Sequence, residues 1–297
     1  MTPRGRLLFG SMCVIWGIPY LLIRVAVRDL SPAALVCSRT ALAALILLPL
    51  AGWRGELRPV VGRFGWVALF ALVEVALPWL LLSSAERRIS SSLSGLMIAA
   101  VPLVGAVIAR ASGSRERLGA ASIAGLAVGL AGVAALVGLD LGAASPAALT
   151  EIAFTVLGYA LGPAILARRL NGEPALGVIS VALALTAVCF APFALTSLPA
   201  RVPPVHVLAA VATLALVCTA LAFVLFFALI EEIGPVRATV ITYVNPAVAL
   251  ALGIGLLGER FTAGMGVGFC GVLVGSVLAT RGPPAAAPAA LATEGGR

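Results

Sequence analysis

The chain contains no lysine: all 20 of its basic residues are arginine, and only 11% of its 297 residues are charged. Ordinary soluble domains are about 25% charged and roughly 45–50% apolar, whereas 61% of this chain is hydrophobic. That shortage of polar surface excludes a water-soluble globular protein and leaves no material for a sizeable aqueous domain. The single histidine, His206, stands alone at the start of an apolar run. The five cysteines (Cys13, Cys37, Cys189, Cys218, Cys270) show no CxxC or Cys/His spacing, so they read as small buried hydrophobes rather than a metal site or a disulfide framework. No GxxxxGK[ST] segment is present to cradle a nucleotide phosphate. The GxSxG, GxSG, HExxH and paired-aspartate patterns that an intramembrane hydrolase or protease needs are missing too. The sequence therefore predicts no enzyme, no cofactor and no metal.

What remains is long apolar runs. A spanning helix needs about 20 mostly apolar residues to cross about 30 Å of hydrocarbon. Cutting the runs at Pro, Gly and charge clusters predicts ten helices, at 7–27, 32–52, 64–84, 90–110, 118–138, 147–168, 175–197, 205–229, 236–257 and 262–280. The expected fold is all-α: a polytopic membrane protein embedded in the lipid bilayer. The first run follows Arg4 and Arg6 without a small-residue cleavage site, so it reads as a spanning helix rather than a leader. The formal charge of +8 is assigned to orientation, not to nucleic acid. Counting arginines by connection gives thirteen on the N-terminal side and five on the other, which places both termini in the cytoplasm of a cell membrane. The Pro/Ala-rich tail, 282–297, has no helical period and is expected to be disordered.

Self-comparison shows an internal repeat. Arg115-Glu116-Arg117-Leu118 meets Gly258-Glu259-Arg260-Phe261 at an offset of 143, with Gly125 on Gly268 and Gly132 on Gly275. Pro102 meets Pro246 at 144, and Trp16-Gly17, Ser31-Pro32 and Pro49 align with Leu157-Gly158, Glu173-Pro174 and Pro192. The expected units are 1–144 and 145–281, each of five helices. Five is odd, so the second unit is inverted, a ground plan that secondary transporters use to build a site near the midplane.

On Trp16-Gly17, Ser38-Arg39 and the Pro-to-Glu-Arg-to-Gly segments 102–132 and 246–275, the chain resembles the drug/metabolite transporter superfamily in its EamA-like branch of ten-helix carriers. The resemblance spans nearly the whole chain. It implies export of amino acids or related small organic metabolites by alternating access, coupled to protons. The alternatives are efflux of drugs or toxic compounds and facilitated exchange; further off stand a channel, a scaffold or an intramembrane enzyme. Trp16 and Arg39 have no counterparts in the second half, at Leu157 and Val181, so the halves share packing rather than chemistry.

Charge inside a bilayer costs roughly 2.5–3.5 kcal/mol per group, which singles out Arg24, Arg39 and Glu74. Glu74 falls at mid-depth of the third helix. It either pairs with Arg39 structurally or shares a watery cavity with it, where its protonation would tune substrate binding. Trp16, Tyr20 and Arg24 recur every four residues, on one face of an uninterrupted helix. The two aromatics read as cavity walls or as interhelical packing; Arg24 reads as a cavity cation or as a side chain reaching the interface. Pro102 and Pro246 free carbonyls one turn earlier and read as hinges. Thr242, Tyr243 and Asn245 form a neutral polar cluster, with Asn245 bonding either substrate or another helix, and Tyr159 is a further aromatic wall or packing residue. The glycines spaced four apart in the fifth and tenth helices predict close packing or a homodimer contact. Glu116 and Glu259 stand before those two helices, whose dipoles would stabilise them.

Overall fold

The computed structural model describes residues 1–111, 120–138, 145–199, 201–234, 238 and 240–280. The segment Arg115-Glu116-Arg117-Leu118 and the tail 282–297 lie outside them. The described residues contain ten apolar helical segments and no strand: α1 Pro3–Ala26, α2 Pro32–Trp53, α3 Phe64–Ala85, α4 in two pieces (Ser91–Ile98 and Val101–Ala111), and α5 Ala120–Gly138. The second half supplies α6 Pro146–Arg169, α7 Ala175–Thr196, α8 Val205–Ile233, α9 Ile241–Leu257 and α10 Ala263–Thr280. Seven are long and apolar enough to cross a membrane, and α5, α9 and α10 are shorter apolar helices. Their outer faces carry large exposed hydrophobics such as Leu45, Leu130 and Val188; in water these would be a liability, but in lipid they are the solvent-facing surface.

Local chemistry sets the helix ends. Ser31 precedes Pro32 and accepts from the Ala34 N–H at 3.1 Å, a serine cap followed by proline in the first turn. Thr2 and Pro3 start α1 in the same way. The connection between α2 and α3 contains a short helix, Leu57–Val61, that the apolar pattern did not predict.

The expected uninterrupted first helix is corrected: α1 breaks at Trp16–Ile18. The Gly17 N–H bonds Val14 O at 3.0 Å rather than continuing the ladder to Cys13 O, and Pro19 has no N–H to offer Ile15. Gly17 is needed there for a second reason, since a Cβ at that position would lie 2.5 Å from Val248 Cβ on α9.

The inverted arrangement is visible in the helix pairs. α2 packs along α7 and α5 along α10, each helix against its own repeat partner. The start of α7 meets the end of α2, where Gly177 faces the Glu56 carbonyl, so these partners run antiparallel. At the α5–α10 crossing a Cβ on Gly132 would sit 2.5 Å from Val272 N, and one on Gly271 would sit 2.8 Å from Gly132 Cα. The glycines serve contact between backbones within one chain.

Candidate functional site

Two π-helical turns organise the centre. One spans Ala71–Ala76 in α3 and the other Leu216–Leu221 in α8, its repeat partner; aligning the two turns sets an offset of 145, one more than the offset that pairs Pro102 with Pro246. A π turn shifts hydrogen bonds from i−4 to i−5, as Leu77 N–H does in bonding Leu72 O, and such turns occur frequently at functional sites. Glu74 occupies one turn; Thr219, its equivalent, occupies the other. The Thr219 hydroxyl donates to Leu214 O at 2.8 Å, a carbonyl that the π turn makes available. With its proton committed there, its oxygen is left to accept.

What it accepts is Arg39. Nε of Arg39 donates to Thr219 Oγ1 at 2.9 Å, and its guanidinium carbon lies 3.6 Å from the centre of the Trp79 ring. Arg39 is 7% exposed. Among the described residues no carboxylate stands within ion-pair distance of it. A cation–π contact is worth up to about 2 kcal/mol when desolvated, and it leaves a positive charge with no counter-ion among the described residues. Tyr159 lies near Arg39 and Glu74, with its hydroxyl toward Trp79. Tyr20, buried on α1 against Gly95 of α4, interacts with both Arg39 and Tyr159. The site thus joins α1, α2, α3, α6 and α8 around one buried cation.

Glu74 and Arg39 reach this region without forming an ion pair. Glu74 instead lies against Gly162, one turn beyond Tyr159 on α6, where a Cβ would overlap its carboxylate. Its Oε2 is shielded and has no hydrogen-bond partner among the described residues.

The break in α1 separates Trp16 from Tyr20, so the two do not share the single face expected of a regular helix. Trp16 packs on Phe223 and Phe226 of α8, with centroids 5.9 and 4.7 Å away, and Phe223 stacks on Phe227 at 6.0 Å. This aromatic chain leads to a cavity of about 280 Å³ lined by Arg4, Arg54, Leu176, Phe227 and Glu231, on the side of the molecule that bears the N-terminus.

The α9 cluster is placed elsewhere. Asn245 is buried, and with its nitrogen toward the acceptors it donates to Cys13 O and Ile241 O at 3.0 Å each. Cys13 O is the carbonyl left over by the α1 break, so Asn245 repairs the backbone of another helix. Tyr243 lines a groove with Leu273, Val274, Val277 and Leu278 of α10, away from Arg39, and Thr242 is half-buried beside it. Of the two prolines expected to act as hinges, Pro102 follows a real interruption at Ala99–Ala100, whereas α9 runs unbroken through Pro246. Asn245→Ala should lower the melting temperature in detergent by an amount corresponding to about 1–2 kcal/mol, because Cys13 O would be left unpaired. Substrate affinity per folded molecule should hold.

Trp79, Thr219 and the α8 phenylalanines were not apparent in the sequence. In a regular helix Trp79 would be turned about 140° away from Glu74, and only the π turn brings the two toward Tyr159.

Glu259 corrects an expectation. Its carboxylate does not serve the helix that follows it but caps the start of α4. It accepts from Ser91 N (2.8 Å), Ser91 Oγ (3.0 Å), Ser92 N (2.9 Å) and Ser92 Oγ (2.5 Å). Gly258 makes this reach available by ending α9 in the left-handed region, φ 66°. At the start of α10 the Met265 N–H donates instead to Thr262 Oγ1 at 3.1 Å. Arg24 likewise does not simply extend to the interface, since its guanidinium donates to the Glu86 backbone carbonyl at the end of α3.

Comparison with known proteins gives a consistent picture. The model of the EamA-like transporter family matches twice, over residues 3–138 and 148–281. The chain is 28% identical over 260 residues to the uncharacterized inner membrane transporter YedA of Escherichia coli K12, covering 86% of this chain and 84% of that one, and equally similar to YedA of Escherichia coli O157:H7. A crystal structure of a protein 21% identical in sequence superimposes with a TM-score of 0.66 over 94% of this chain and 97% of that one, a likeness of fold.

Proposed function

The chain belongs to the EamA-like transporter family, and from that premise we propose that this membrane transporter exports amino acids or related small organic metabolites that carry a carboxylate. The observation that carries this reading is the buried guanidinium of Arg39, pinned by Thr219 and Trp79 and without a counter-ion among the described residues. Two of its nitrogens are free of protein hydrogen bonds among the described residues. A carboxylate would meet them as a charge-assisted pair, with Trp79, Tyr159 and Tyr20 as walls for the organic part. Trp16 and the phenylalanines of α8 would line the way to the mouth.

The two five-helix units, 1–144 and 145–281, would exchange access to this cavity by rocking about it, with the lipid of the inner membrane around them and both termini in the cytoplasm. Protons are the proposed coupling ion and Glu74 their site next to substrate. A carboxylate at mid-membrane depth against a glycine backbone tolerates charge only with hydration or a partner.

Counterflow in proteoliposomes tests the reading: unlabelled amino acids, amines and nucleosides are loaded in turn, and uptake of the matching labelled compound is followed. Transient accumulation confined to carboxylate-bearing compounds is expected. Accumulation of amines alone would turn the reading toward cationic drug efflux, and none across the panel would overturn it. Glu74→Gln should preserve counterflow, which needs no driving force, and abolish accumulation driven by a pH gradient. Wild-type pH-driven uptake in that variant would remove Glu74 from the coupling.

A further inference from the structure

The π turns place α3 and α8 in register at an offset of 145, and the same offset pairs Glu86, just beyond α3, with Glu231, in the last turn of α8. These equivalent glutamates lie on opposite sides of the molecule and in opposite surroundings. Glu86 has no exposed surface, and neither of its carboxylate oxygens has a hydrogen-bond partner among the described residues. Glu231 is exposed and lines the open cavity with Arg4 and Arg54. One mouth is therefore sealed over its glutamate while the other stands open around its own.

We propose that Glu86 and Glu231 are paired gate residues, and that the mouth at Glu86 closes over it only when its carboxylate has taken a proton from the water on its side. The inference rests on the alternating-access reading and adds to it a proton site at one mouth, distinct from the substrate site.

The groups facing Glu86 are Arg24 and Tyr20 on α1, Tyr159 on α6 and Glu259 between α9 and α10. Burial is the largest influence and pushes the Glu86 carboxyl well above its usual range; the Glu259 charge pushes the same way and Arg24 opposes. Arg24 is already engaged with the backbone carbonyl of Glu86, so it holds the end of α3 in place rather than pairing with the carboxylate. The sign follows: a raised carboxyl favours the sealed form at low pH, and the seal is lost as pH rises through the raised value. At the other mouth Glu231 shares its cavity with Arg4 and Arg54, which pair with Glu232 at 3.9 Å and Glu56 at 4.0 Å, and closure there would bury the equivalent group.

The test uses the full chain in oriented vesicles carrying Ser83→Cys, one turn below Glu86 on the same face of α3 and buried. A membrane-impermeant maleimide is added on the side of the α3–α4 connection, and modification at position 83 is read by mass spectrometry, normalised at each pH to detergent-denatured protein. Each pH unit changes the ratio of ionised to neutral carboxyl about tenfold, so normalised labelling should rise at least about fivefold from about pH 5 to about pH 9. Adding Glu86→Gln, which keeps the shape of the protonated acid, should hold labelling low and flat; Glu86→Asp, which still titrates, should restore the pH response.

Labelling that ignores pH without Glu86→Gln, or follows it equally with Glu86→Gln, would overturn the proposal. Counterflow on the same vesicles separates the two readings. Loss of counterflow with the pH response intact counts against the carrier and supports the gate, whereas counterflow with flat labelling counts against the gate alone.

Discussion

Arg39→Ala is expected to lower carboxylate-substrate transport at least about thirtyfold, in line with the 2–5 kcal/mol that loss of one partner of a buried charge pair costs. Stability should respond far less than it does to an ordinary core truncation. The guanidinium is 7% exposed and has no carboxylate within ion-pair distance among the described residues, so its removal relieves a desolvation cost while forfeiting the Trp79 and Thr219 contacts. We expect a net change in unfolding free energy within about 1 kcal/mol. Arg39→Lys keeps charge but loses the planar fork and the stacking on Trp79, and should recover little of the transport. The measurement is initial counterflow rate per folded molecule together with the melting temperature. A large fall in melting temperature with unchanged turnover would make Arg39 a structural residue and leave the carboxylate reading without its anchor.

Glu259→Ala is expected to cost about 2–3 kcal/mol of stability, the value of several charge-assisted hydrogen bonds reduced for the partial exposure of the carboxylate. The variant strands the Ser91 and Ser92 N–H groups in a region where both residues are fully buried. Glu259→Gln should do little better, because its amide turns a donor toward donors. Burial pulls the Glu259 carboxyl upward, but the bonds from Ser92 and Ser91 outweigh it and hold it below its usual range. Its stabilisation is therefore present above the ordinary glutamate value of about 4.3 and is lost as pH falls through the lowered one. Melting curves from about pH 3 to about pH 7 should converge for wild type and Glu259→Ala at the acid end. A constant gap across that range would show that the carboxylate charge contributes nothing at this cap.

Much of this architecture was legible because bilayer physics constrains the sequence heavily. Runs of apolar residues punctuated by Pro, Gly and arginine mark helices wherever backbone groups have no water to bond, and the ten expected segments match the observed ones to within a few residues. The repeat, read from Glu259 and the paired prolines and glycines, gave the inverted plan, and the glycines four apart marked the fifth and tenth helices for close packing without naming the partner. Arg39 and Glu74 stood out because charge is costly at that depth. Asn245 was legible as an interhelical bond or a substrate ligand, and the α1 break favours the former by leaving Cys13 O to be satisfied.

The amino-acid order alone thus determined the apolar helices, the inverted repeat and which charged residues fall inside those helices (Arg24, Arg39 and Glu74), since these follow from local hydrophobicity and self-similarity. Only tertiary structure decided that the π turns rotate Trp79 and Thr219 onto Arg39, that Glu259 reaches back to α4, and that Glu86 is sealed while Glu231 stands open. Each of these depends on a side chain meeting a group more than 60 positions away, or on one hydrogen bond moving from i−4 to i−5. Neither leaves a periodic trace in the order of residues.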